Sequence, residues 1–94
     1  MIGSMSSYED DLRRARGHID EADRKIIDAL EERMDIVVDE IKPLKDDKED
    51  GPHDEKRVEE VLKTRVSMGG KLNAEFVRKL FRLIIEESER LQDK

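Results

Sequence analysis

From Ser7 onward the apolar residues recur at Leu12, Ala15, Ile19, Ala22, Ile26, Leu30, Val37 and Ile41. Steps of three and four, or their sum, keep them on one face of a helix. Ser6-Ser7-Tyr8-Glu9 has the serine-to-glutamate spacing of a capping box. Gly17 is isolated, so it weakens this helix without ending it. The pattern predicts one helix over about residues 7–45, roughly 55–60 Å long at about 1.5 Å per residue. Three helices of a chain this size cannot cover such a stripe, so a second copy or another partner is expected along it.

The charged run Asp46-Asp47-Lys48-Glu49-Asp50 ends in Gly51-Pro52 and reads as a loop. A second helix is expected over 54–67 with Val58, Val61, Leu62 and Val66 inward. Met68-Gly69-Gly70-Lys71 ends it. Asn73 is placed to cap a third helix over 73–92, with Leu72 and Val77 as a hydrophobic staple. Its inner face reads Phe76, Val77, Leu80, Phe81, Ile84 and Leu91. No alternating strand pattern and no repeat occurs. The expected class is all-α: one domain over 7–94, three helices per protomer with one long and two shorter, in an intertwined homodimer. Residues 1–6 read as a disordered leader.

Composition narrows the chemistry. The chain has 94 residues, 47% charged and 35% hydrophobic, with no cysteine and a net charge of -6. Disulfides, thiolate metal sites and a cysteine nucleophile are excluded. His18 and His53 have no ligand-spaced neighbour, so neither a metal nor any other cofactor is expected. A nucleic-acid partner calls for a basic block, which is absent. No apolar run reaches the ~20 residues of a membrane span, and residues 1–5 lack a secretory pattern. A cytoplasmic protein is the expectation. An anionic ligand would approach against the global charge and would need a local basic pocket.

Several polar residues break the apolar faces. Arg16, Asp23 and Arg33 fall on the stripe of the first helix, and Ser88 and Gln92 continue the inner face of the third. Arg57 lies one turn before Val61, and Asp54 one turn before Arg57. Each has a plainer reading. An arginine lays its stem on apolar surface with its head in water, Asp54 caps the second helix, and Gln92 frays near the chain end. Taken together they favour an anion. Two inward guanidinium groups need counter-charge, and an arginine fork fits a carboxylate through two parallel hydrogen bonds.

The series Arg16 with Ile19 and Asp23, Glu32-Arg33-Met34-Asp35, a lysine about three turns on, Asp54-x-x-Arg57, and Leu80-Phe81-x-Leu83-Ile84-Ile85-Glu86-Glu87-Ser88-x-x-x-Gln92 resembles the small all-helical chorismate mutases. The resemblance runs from about Tyr8 to Gln92, and the Ser88–Gln92 end is its most specific part. It implies an interlocked dimer of three-helix protomers with two shared sites. It also implies conversion of chorismate to prephenate, a step toward phenylalanine and tyrosine, without base, nucleophile or metal. By resemblance Arg33 clamps one carboxylate, and Arg16 from the other protomer holds the second, supported by Arg57. Lys45 and Gln92 flank the ether oxygen. Asp54 and Ser88 contact the ring hydroxyl or a carboxylate, and Ile41 and Ile84 form apolar walls. The partners are thus chorismate and a second copy of the chain. Two other readings stand beside this one: isochorismate pyruvate lyase, a relative with a similar site, and a non-catalytic helical dimerisation module.

Two departures from the family pattern matter. The family places its lysine at the position of Leu44, whereas Lys45 is one residue further, a step of about 100° on a regular helix. Lys42 is the rival but is expected on the far side. Pro43 lacks a backbone donor and clashes with the Asp39 carbonyl in a regular helix. A one-residue π-bulge near 37–43 would absorb both the extra residue and the lost bond. The second departure is Val58, where the family commonly has a glutamate that contacts the substrate hydroxyl. Weaker catalysis is expected, unless Asp54 or Glu55 compensates.

Overall fold

A computed structural model describes residues 3–47 and 54–93. In chain order the elements are α1 (Gly3–Ile36), a π-helical turn (Val37–Ile41), α2 (Lys42–Asp47), α3 (Glu55–Met68) and α4 (Ala74–Gln92). No strand occurs among the described residues, so the all-α expectation holds. The chain divides into two compact units, Met1–Arg33 and Met34–Lys94.

The first unit is helical from Gly3, four residues ahead of the expected start at Ser7. Ser6 therefore lies inside the helix and is not its cap. Extending a formed helix costs far less than nucleating one, so a boundary read from a capping pattern shifts readily. Neighbouring charges pair along the surface: Arg14 with Asp11 at 3.3 Å and Arg24 with Asp28 at 3.1 Å. Such exposed pairs contribute little each. Along the apolar stripe Ile19 is 58% exposed, Ile26 and Ala22 are exposed too, and Leu12 and Leu30 are half-buried.

The second unit holds the core. α3 packs on α4, and the π turn packs on α4 and on α2. Val58, Val61 and Leu62 of α3 are buried, as are Val77 of α4 and Val37 of the π turn. Each such side chain contributes about 1.5–3 kcal/mol by leaving water. Arg78 of α4 makes two hydrogen bonds to Glu59 of α3, at 3.0 and 3.1 Å.

Local chemistry sets the ends of these helices. Asp54 caps α3, its Oδ1 accepting from the Arg57 N–H at 3.2 Å. Asn73 caps α4 by accepting from the Phe76 N–H at 2.9 Å, as expected. Between them, a Cβ on Gly69 would sit 3.2 Å from both the Val66 carbonyl and Val77 Cγ2, so the turn approaches α4 closely there. Gly70 has φ of 56°, the left-handed region that favours glycine.

The expected inner face of α4 is only partly inward. Val77 and Ser88 are buried and Phe81, Ile84 and Leu91 half-buried, but Phe76 is 54% exposed and Leu80 lies open as well. α3 covers one side of α4. Residues at positions 76, 80 and 83 form a second apolar strip beside the covered one. The expected loop around Gly51-Pro52 falls in residues 48–53, outside the described residues.

Candidate functional site

The π turn sets the direction of the residues that follow it. Its closing bond is the Lys42 N–H to the Val37 carbonyl, a reach of five residues where an α-helix reaches four. This is the bulge expected from Pro43 and the extra residue, and it lies at Val37–Ile41. One residue of extra winding removes about 100° of rotation downstream. Relative to Val37, Lys45 then moves from about 80° to about 20° away, and Lys42 from about 140° to about 40°. Burial follows that geometry. Val37 is buried and Ile41, Lys42 and Lys45 are half-buried, while Val38, Asp39, Glu40, Pro43 and Leu44 are exposed.

Lys42 therefore does not face away, which corrects the sequence expectation. Its Nζ donates to the main-chain carbonyl of Gln92 at 2.9 Å, joining the π turn to the end of α4. The expectation assumed regular α-helical winding, and the π turn removes that premise. Two lysines thus share the inward arc at this end of the molecule.

Gln92 is half-buried, and its side-chain Oε1 is buried without a hydrogen-bond partner among the described residues. The side chain is thus held inward at the chain end where fraying was the plainer reading. A buried amide oxygen left unpaired costs about 1–3 kcal/mol. Rotation of the amide exchanges its donor and acceptor ends, so the same slot can present N–H to a ligand oxygen.

Ser88 lies one turn before Gln92 and is buried. Its hydroxyl is positioned to donate to the Ile84 carbonyl at 2.9 Å or to Met34 Sδ at 3.6 Å. Such back-bonding satisfies a serine inside a helix without tying it to one partner. Met34 was not singled out from the sequence beyond its place in the Glu32-Arg33-Met34-Asp35 run. Ile84 and Ile41 are half-buried, on α4 and on the π turn that packs against it. On α4, Arg90 makes two hydrogen bonds to Glu87, at 2.8 and 2.6 Å. These bonds and the carboxylate charge raise the Arg90 pKa, so it remains a cation.

The remaining expected residues belong to α1 and to α3 with its cap. Asp54 is the exposed cap of α3, which is the plainer of its two readings. Arg57, in the first turn of α3, pairs with Glu60 on the exposed face of its own helix. Val58 is buried against the α3–α4 core. Arg33 is half-buried near the end of α1, and Arg16 is exposed on a shallow groove of α1 with Tyr8, Leu12, Arg13 and Gly17. Among the described residues no group of histidines and acids has the arrangement of a metal site, and no helix is long and apolar enough to cross a membrane.

Lys42 thus places an ammonium on the last turn of α4, the turn that carries the inward Gln92 amide. A cation and an amide are groups that stabilise charge developing on an oxygen. No curated protein and no solved structure gives a match to the chain. The family model for chorismate mutase type II matches residues 15–93, a span that takes in Arg16, the π turn, Ser88 and Gln92. The chain belongs to the chorismate mutase type II family.

Proposed function

We propose that this protein rearranges chorismate to prephenate in one intramolecular step. The ether C–O bond breaks as a C–C bond forms, and no atom enters or leaves. The observation that carries the reading is the end of α4: Gln92 holds a buried, unpartnered amide oxygen, and Lys42 and Lys45 are brought to the inward arc by the π turn. A cation and an amide there would meet the oxygen on which negative charge develops, and so act more strongly in the transition state than in the ground state. Lys45 supplies the charge and Gln92 the amide donor.

The rest of the clamp is assigned by the same reading. Arg33 binds one carboxylate and Arg16 of a second copy the other, which holds the flexible substrate folded with its reacting carbons close. Arg57 supports that clamp by exchanging Glu60 for a substrate carboxylate. An exposed pair contributes little, so the exchange costs little. Ser88 and Asp54 serve the ring hydroxyl or a carboxylate, and Ile41 and Ile84 the walls. The homodimer is part of the proposal. Ile19, Ile26 and Phe76 expose apolar surface that a second copy would cover, and a monomer seldom leaves that much uncovered. We place the protein in the cytoplasm, in aromatic amino acid biosynthesis.

Product analysis tests this. Prephenate from chorismate supports it, whereas salicylate and pyruvate from isochorismate would assign the lyase instead. Inertness towards both would leave the dimerisation module.

A further inference from the structure

Lys42, the first residue of α2, makes one bond that closes the π turn and another that reaches α4. Its backbone N–H closes the turn on Val37, and its ammonium reaches the Gln92 carbonyl at 2.9 Å. That carbonyl is among the last four of α4, which have no partner within the helix. They form the negative end of the helix dipole, where a cation is stabilising. The chain supplies no glycine cap there. Asp93 follows α4 in ordinary right-handed geometry, its N–H bonded to Glu89. α4 is thus held at its end by a charge-assisted bond from a different element, at the residue whose side chain the proposed chemistry uses.

We propose that Lys42 is a positioning residue: it anchors the last turn of α4 so that the Gln92 amide stays at the buried position. Its catalytic consequence rests on the chorismate reading, and the anchor itself does not. The π turn thereby has two roles. It turns Lys45 inward, and it turns Lys42 far enough to clasp α4, which a regular helix would not do.

The test combines amide hydrogen exchange with a double-mutant cycle on the full chain. Lys42→Met should speed exchange at the Gln92 and Asp93 amides about tenfold while leaving α3 unchanged, because opening of that turn becomes local. It should lower kcat/KM about tenfold, mostly through kcat, and Lys42→Arg should recover most of the loss. In a Gln92→Ala background, Lys42→Met should change kcat/KM by less than about twofold, since its effect passes through an amide no longer there. Equal losses in both backgrounds would overturn the proposal by showing that Lys42 acts by itself. Unchanged exchange at the end of α4 would overturn the anchor directly. A wild-type protein inert towards chorismate would sink the underlying reading, and would be seen before any variant is made.

Discussion

The backbone N–H of Lys42 bonds to the carbonyl of Val37, five residues earlier. That bond lets a helix with one surplus residue keep Val37, Ile41 and Lys45 on one inward arc. If the turn exists to absorb the surplus, removing it should be tolerated. Deleting Asp39 together with Pro43→Ala should give a regular helix and keep chorismate turnover within about tenfold. Inserting one alanine after Lys42 adds about 100° and should cost about a hundredfold. Initial rates for the two variants check this.

The π turn was legible because two independent signals agreed on it, the displaced lysine and the proline. The fate of Lys42 was not, since it depends on where within residues 37–43 the extra residue is taken up. The three helical stretches followed from periodicity, and the Asn73 cap from a side chain that competes for backbone donors. Phe76 and Leu80 show the limit. Helical spacing marks them as apolar-face residues but cannot say whether their own chain or another covers them. Asp54 had two readings from sequence, and only the bond to the Arg57 N–H distinguishes the cap.

Asp54→Ala removes that cap and should lower stability by about 1 kcal/mol, while Asp54→Asn should keep it. Chemical denaturation at fixed protein concentration measures both. If Asp54→Asn keeps stability but loses substrate affinity, Asp54 also touches chorismate.

Ser88 is buried but bonded within its own helix. Ser88→Ala removes donor and local bond together, so stability should change by less than about 1 kcal/mol. A substrate contact at this position would instead appear as a raised KM.

Val58 is 5% exposed, beside Val61 and Leu62. Restoring the family's usual acid by Val58→Glu should destabilise the free protein by about 3 kcal/mol at neutral pH. Burial raises the pKa of the introduced carboxyl above the unfolded value of about 4.3. The charge-burial part of the penalty is therefore absent at lower pH, where both states are protonated, and grows as pH rises through that value, while the cost of a larger polar side chain in the core remains at all pH. Denaturation of the variant and the wild type across pH 3–8 (about neutral to acid) reads the divergence.

In the proposed reaction, fixed cations and an amide grip a folded diacid and promote its rearrangement. The most direct measurement is chorismate consumption, with product identification, by the wild-type protein and by Arg33→Lys at equal concentration. The wild type should yield prephenate. Arg33→Lys should lose about a hundredfold or more in kcat/KM while eluting at the same size, because a point charge cannot replace a planar fork. Unchanged chorismate from the wild type, or an Arg33→Lys variant as active as the wild type, would contradict it.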